Sequence, residues 1–302
     1  MEFGRLPSVD GVDFKLPADE RPTTELLKQA KLKRSIPEVY IGGAKWGRTD
    51  WIGKLYPKGT KQADFLKHYV THFNSIELNA LFYQLFPVNT IEKWASVADG
   101  GFRFCPKFSN IITHIRRLKN AERETDAFLN TVSYFGAKLG PSFIQLGDNY
   151  TPKDIEAVKG YLESLPRDFD VALELRHHSW FDDKQVKEEM FGFMQEIGVS
   201  TVITDTAGRR DVLHSRLTTP KAFVRFVGNS LHPTDYKRID EWVSRIDSWL
   251  NQGIGTIFFF IHQHDELYSP ELSYYMIEKL NKQCGLQLKA PRLINNFQPP
   301  LF

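Results

Sequence analysis

From residue 39 onward the chain alternates two spacings of apolar residues. Short apolar runs at 39–44, 75–79, 102–107, 142–146, 171–176, 199–204, 221–227 and 255–261 read as buried strands. Between them apolar residues recur three or four positions apart, as on a helix with one buried face. Leu66, Tyr69, Val70 and Phe73 make one such stripe, Phe128, Val132, Phe135 and Leu139 another, and Val186, Met190, Phe193 and Ile197 a third. Ile239, Trp242, Val243, Ile246, Trp249 and Leu250 give the cleanest amphipathic pattern. Thr151 and Pro152 mark a helix start, as do Ser269 and Pro270. The rhythm falters at 205–219, where periodicity is poor, so a short or irregular crossover is expected after the sixth strand.

Parallel strands need crossover connections, and strands alternating with helices predict a parallel α/β sheet. Eight such units in 302 residues favour a closed (β/α)8 TIM barrel over an open doubly wound sheet. The expected organisation is an extended N-terminal arm over 1–37, rich in proline and charge with one helical turn near 25–31, then a barrel over 38–285 and a tail over 286–302. No G-x-G-x-x-G follows the first strand and no P-loop pattern occurs, which argues against dinucleotide and P-loop chemistry.

Composition narrows this a little further. A formal charge of +2 favours no class of charged partner. The two cysteines, Cys105 and Cys284, form neither a zinc motif nor a disulfide framework, and a reducing cytoplasm is expected. The chain begins without a basic-then-apolar leader, and no apolar run approaches membrane-spanning length, so no membrane partner is expected.

In a barrel of this kind the working side chains lie at the carboxyl ends of the strands. The polar residues there are Trp46, Glu77, Asn79, Lys107, His114, Gln145, Glu174, Arg176, His177, Trp180, Asp205, Arg225, His262 and His264. Glu77 lies between Ile76 and Leu78, and Arg225 between Val224 and Phe226. That alternation points the charges at the barrel axis and their neighbours at the helices. The conservative reading is a structural ion network, with Glu77, Glu174 and Asp205 neutralising Lys107, Arg176 and Arg225. The functional reading is a catalytic cluster, because opposite charges held close beside histidines separate pKa values.

No metal is assigned. Glu174, His177, Asp205, His262 and His264 are suitable ligand types, but no H-E-x-x-H or facial-triad spacing is present. His177 and His178 would point opposite ways if the strand continued through them. Ser179 lacks the context of an activated serine. His68 and His72 read as surface residues.

Several segments together resemble one family. They are Ile41-Gly-Gly-Ala-Lys-Trp46 with Trp51 and Tyr56-Pro57, then Phe73-Asn-Ser-Ile-Glu-Leu-Asn79 with Phe82-Tyr83, and Phe102-Arg-Phe-Cys-Pro-Lys107. Ile112-Thr-His114, Leu139-Gly-Pro with Gln145, and Glu174-Leu-Arg-His-His-Ser-Trp180 follow in order, the last being the most specific. From about Tyr40 to about Leu280 the chain resembles the TIM-barrel proteins called domain of unknown function 72, or YecE-like. The resemblance implies a (β/α)8 barrel and no established reaction, substrate or cofactor. The chain departs from the family pattern at Arg225-Phe-Val-Gly228, and at Phe258-Phe-Phe-Ile-His-Gln-His264, where two histidines stand in place of neutral amides.

Three functional expectations follow. The first is an enzyme, of which a hydrolase is one form, using acid–base chemistry on a polar anionic or polyhydroxylated small molecule. Glu174 would be base or acid, Arg176 and Lys107 would hold negative charge, and His177 or His262 would move a proton. Trp46, Tyr83 and Trp180 would wall the pocket, and a Glu77–Glu174 pair acting on a glycosidic bond is the concrete version. The second is nucleic-acid binding or phosphodiester processing at a basic rim of Lys107, Arg116, Arg117, Lys119, Arg209 and Arg210. The third is a non-catalytic small-molecule binder. Sequence assigns neither a cofactor nor an oligomeric state.

Overall fold

The computed structural model describes residues 3–31 and 36–294. The ends of the expected arm and tail at 1–2 and 295–302, and the stretch 32–35, lie outside the described residues. The strands are β1 (Glu38–Gly43), β2 (Ser75–Leu78), β3 (Arg103–Pro106), β4 (Ser142–Gln145), β5 (Val171–Glu174), β6 (Ser200–Asp205), β7 (Lys221–Gly228) and β8 (Thr256–Gln263). All paired strands are parallel, in the order β3-β2-β1-β8-β7-β6-β5-β4. Bridges between Phe104 and Leu139 and between Lys107 and Phe143 bring β3 against β4 and nearly complete the circle. This is the (β/α)8 barrel that the alternating pattern predicts.

The helices are α1 (Arg21–Lys31), α2 (Phe65–Tyr69), α3 (Ala80–Tyr83), α4 (Val88–Val97), α5 (Glu122–Ser133), α6 (Ile155–Ser164), α7 (Ser179–Asp182), α8 (Lys184–Ile197), α9 (Pro233–Gln252) and α10 (Ser269–Cys284). Their ends carry ordinary signals. Thr151 and Asp154 form a capping box ahead of α6, Asp183 caps α8, and Gly198 and Gly253 end α8 and α9 in left-handed backbone.

The strand alternation divides the barrel into two compartments. Inward-facing Tyr40, Cys105, Phe143, Ala172, Val202, Phe223, Phe258 and Phe260 fill the interior as one apolar plug. Tyr40 stacks on Phe258 at 4.7 Å between ring centres, and Phe223 meets Phe260 at 5.0 Å. The alternate residues face the helices and build the outer core. At β1 the space is tight: a Cβ on Gly42 would stand 2.1 Å from the Ser75 carbonyl oxygen, so only glycine fits. The Asn74 amide ties β1 to the start of β2, donating to Val39 O at 2.9 Å and accepting from the Ile41 N–H at 2.8 Å.

The crossover after β6 is irregular, with only a short 3-10 turn at Arg210–Val212 before β7. Helix α1 occupies the face left open there. It is an eleven-residue helix, longer than the single turn the sequence suggests. Leu27 is fully buried beside Ile203, Leu217, Val224 and Trp249, and Leu16 joins the same cluster. Thr23 Oγ1 donates to Ser215 O at 3.1 Å and accepts from the Leu217 N–H at 2.9 Å. Glu20 pairs with Lys187 of α8, and Asp19 with Arg245 and Trp249 of α9. A segment remote in sequence thus supplies the helix that the sixth β/α unit lacks.

Candidate active site

Above the aromatic plug, the next inward positions of the strands are polar. Glu77 from β2, Gln145 from β4, Glu174 from β5, Thr204 from β6, Arg225 from β7 and His262 from β8 meet in one layer, with Lys107 just past β3. Period-two alternation puts them there: Glu77, Gln145, Glu174 and Arg225 each lie between apolar residues that the outer core takes, and Thr204 and His262 each follow one.

Arg225 is the hub. Its Nε and Nη2 donate to the two oxygens of Glu77, both at 2.8 Å, and its Nη1 donates to Glu174 Oε2 at 2.9 Å. Glu174 is also held by Arg176 Nε at 2.7 Å, Thr204 Oγ1 at 2.8 Å and Gln145 Nε2 at 2.7 Å. Asn79 donates to Glu77 Oε1 at 2.8 Å, and His262 Nε2 lies 3.0 Å from Glu77 Oε2. Burial works to raise both carboxyl pKa values, but the cations overrule it. Arg225 and His262 hold Glu77 well below the usual range, and Arg176 and Arg225 hold Glu174 at about 2. Both carboxylates are therefore ionised, with their oxygens occupied. His262 lies between Glu77 and Glu266; burial lowers its pKa, but these two carboxylates outweigh that and raise it.

Lys107 differs from the other cations. Its Nζ donates to Gln145 Oε1 at 2.6 Å and lies 3.9 Å from the centre of the Phe82 ring. Burial, then Arg225 and Arg176, push its pKa down to about 7.

A cavity of about 600 Å³ opens over this layer. Its lining includes Phe3, Lys45, Trp46, Asn79, Tyr83, Lys107, Gln145, Arg176, Arg225, His262 and Glu266. Trp46 packs edge-on against Trp94, with ring centres 5.2 Å apart, and Tyr83 is 74% exposed at the rim. Phe3 reaches the mouth from the N-terminal arm. Its ring covers the Arg176 guanidinium at 4.0 Å, while Phe3 O and Gly4 O accept from Thr206 Oγ1. Nothing in the sequence pattern points to Phe3. Glu266 and Thr204 were also missed, although Glu266 stands four residues after His262, within reach of its ring.

Other expected site residues lie elsewhere. Asp205 follows inward-facing Thr204 and so faces the helices, where it pairs with Arg238 at 2.8 Å and with Arg210 and accepts the Trp242 N–H at 2.7 Å. Trp180 is fully buried in the outer core, its N–H donating to Tyr150 O at 2.8 Å, so it is no pocket wall. β5 ends at Glu174, and His177 lies in the turn beyond it, stacked on His178 at 4.5 Å with Nδ1 2.6 Å from Ser179 Oγ. The two histidines therefore do not diverge, and His177 is outside the cavity lining. His264 is half-buried past β8 and also outside the lining. His114 stands at the rim, edge-on to Phe82 at 5.2 Å. His72 is buried rather than superficial, with its pKa lowered to about 4 mainly by that burial. Among the described residues no group of three or more His, Cys, Asp or Glu is arranged to hold a metal ion.

The basic rim is largely neutralised. Arg116 pairs with Glu124, Arg117 with Asp154, Arg209 with Asp211 and Arg210 with Asp205.

The assignment of Trp180 to the core has a direct check. Trp180→Phe removes the donor to Tyr150 O and is expected to cost about 1–3 kcal/mol in urea unfolding, with no change in ligand affinity. A change in affinity without loss of stability would return Trp180 to the pocket.

An eight-stranded parallel barrel with a polar layer and an open hollow at the carboxyl ends of its strands is a (β/α)8 TIM barrel. Residues 40–294 match the family described as "Protein of unknown function DUF72", and the chain belongs to that family. It is 26% identical over 262 residues to the UPF0759 protein YecE of Escherichia coli K12, covering 81% of this chain and 93% of YecE. It is 29% identical over 167 residues to the UPF0759 protein YunF of Bacillus subtilis 168, covering 53% of this chain and 58% of YunF. Crystal structures of DUF72 family proteins share the fold. The one from Thermotoga maritima MSB8 has a TM-score of 0.64 at 21% identity, over 82% of this chain and 100% of that one. The one from Enterococcus faecalis V583 has a TM-score of 0.64 at 17% identity, over 84% and 100%. No helix among the described residues is long and apolar enough to cross a membrane.

Proposed function

We propose that the chain is an enzyme that takes a small anionic molecule into the barrel mouth and acts on it by proton transfer, with Lys107 as the group that gives or takes the proton. One observation carries this reading. Lys107, Arg176 and Arg225 converge on the floor and wall of a single cavity, while Glu77 and Glu174 are held ionised in hydrogen bonds to the cations and amides beneath it. A ligand there meets positive charge in a low-dielectric setting, which favours carboxylate or phosphate groups. Lys107, with a pKa near 7, is matched to proton transfer at neutral pH. Glu174, at about 2, is a poor acid and a weak base, so its role here is to position Arg176 and Arg225. The same restraint weighs against a glycosidic mechanism, which needs one of its two carboxyls protonated. The paired rim arginines leave nucleic-acid binding without a supporting observation.

Titration with inorganic phosphate and with glucose tests the reading. Phosphate is expected to raise the melting temperature and glucose to leave it unchanged. Arg176→Met should weaken phosphate binding about tenfold or more, since a hydrogen bond to a charged group contributes about 1.5–3 kcal/mol. Equal stabilisation by glucose, or undiminished phosphate binding in the variant, would overturn it.

A further inference from the structure

We propose that the Lys107 amine is a nucleophile toward carbonyl carbon, so that the barrel mouth accepts a small anionic aldehyde or ketone and holds it as an imine. This deepens the anion reading above and rests on it for the charged part of the ligand.

The geometry sets Lys107 apart as a reactive amine. Its backbone is fixed where β3 meets β4, by the bridge to Phe143 and by its N–H donating to Leu78 O at 3.1 Å. Lys107 is 8% exposed and lines the open cavity, which gives an incoming ligand a route to its side chain. Among the described residues it has no carboxylate at ion-pair distance; its close neighbours are a neutral amide and an aromatic face. The Gln145 amide cannot turn round without loss, because its nitrogen already donates to Glu174 Oε2 at 2.7 Å. Gln145 Oε1 therefore stays toward Lys107 and accepts one N–H, leaving the lone pair of the neutral amine for a carbon in the cavity. Desolvation beside other cations is the usual way a lysine becomes nucleophilic near neutrality.

The step balances without a further reactant. The Nζ lone pair forms a bond to the carbonyl carbon while the C=O π pair moves to oxygen. The two amine hydrogens then leave with that oxygen as water, and the C=N bond remains. Arg176 and Arg225, facing the same space, would hold the carboxylate or phosphate of the ligand.

Reductive trapping of the full chain tests this. The protein is incubated at pH 7 with glyoxylate, an anionic aldehyde, and sodium cyanoborohydride, which reduces an imine to a stable secondary amine. Peptide mass mapping is expected to place the adduct on Lys107, formed about tenfold or more faster than on any other lysine. With its pKa pushed down to about 7, Lys107 carries far more neutral amine at pH 7 than an ordinary lysine near 10.4, which is neutral only at about a few parts in ten thousand. The trapping rate should rise through pH 7. The groups facing the amine or lining the same cavity include Glu77, Glu174, Arg176, Arg225, His262 and, at the rim, His114, and of these the two histidines ordinarily titrate near neutrality. The same profile in His114→Gln and in His262→Gln assigns the rise to Lys107. Neutral propionaldehyde should label Lys107 more slowly than glyoxylate, and Arg176→Met should remove that preference. Adducts spread over other lysines with Lys107 unmodified would overturn the proposal. Phosphate binding with no Lys107 adduct would end the imine and leave the anion reading standing. Trapping by glyoxylate and propionaldehyde at equal rates, with no phosphate binding, would keep the nucleophile and end the anion reading.

Discussion

Arg225→Met is expected to destabilise the protein by about 3–5 kcal/mol at neutral pH, the usual loss when one member of a buried ion pair is removed. Arg225 is 1% exposed, and its guanidinium bridges Glu77 and Glu174, which are themselves buried. Methionine fills most of the volume but leaves two carboxylates facing the vacated site. In the native protein both folded-state pKa values lie below their unfolded values. The carboxylates therefore add stability above the unfolded glutamate pKa of about 4.3, and this is lost as pH falls through the folded values. In the variant the sign reverses. With the counter-charge gone, burial and mutual repulsion raise at least one folded pKa above its unfolded value. The penalty is then greatest at high pH and shrinks on acidification toward about pH 4.3, as the folded variant takes up a proton that the unfolded chain does not. Urea unfolding of both proteins at pH 7 and pH 5 reads this directly. A deficit under about 1 kcal/mol at pH 7, or one that does not shrink at pH 5, would show that Arg225 is not the counter-charge. Arg225→Lys should recover only part of the loss, because an ammonium cannot span Glu77 bidentately.

Deleting residues 1–31 is expected to remove more than about 5 kcal/mol, enough to unfold a domain of ordinary stability. The segment carries Phe3 at the cavity mouth and covers the barrel where the crossover after β6 has no helix. Without Leu16 and Leu27 the apolar surface of Ile203, Leu217 and Val224 loses its cover. Leu27→Ala alone should cost about 2–5 kcal/mol, as for a leucine at a fully buried site. The deletion also strips Glu20 from Arg216 and Lys187, and Asp19 from Arg245. The checks are urea unfolding of Leu27→Ala, and the soluble yield and dye binding of the truncated chain. A truncated chain that unfolds at the same urea concentration as the whole one would show that α1 is only a surface attachment.

These cases separate what was legible from what was not. Arg225 sits between Val224 and Phe226, so its inward direction can be read from the strand. Its partner Glu77 is 148 positions away, and the pairing depends on closure of the barrel. Asp205 shows the limit of the same reasoning. It stands at a strand end among polar residues, but a single step in register turns it toward α9. Trp180 lies in the most specific family motif, and its burial depends on where β5 stops and α7 begins. Lys107 reads as one of several balancing charges. Its lack of a close carboxylate emerges only once Arg225 and Arg176 are seen to occupy Glu77 and Glu174.

The amino-acid sequence by itself determined the barrel class, the crossover that fails after the sixth strand, and the inward side of the charges on β2, β5 and β7. These follow from apolar period, a property of neighbouring residues. Only the tertiary structure decided which charges cancel, which amine is left without a carboxylate, and that an N-terminal helix covers the gap beside β6 and β7. Those outcomes depend on contacts between residues remote in the chain, where burial makes each unpaired charge costly and so forces a particular set of partners.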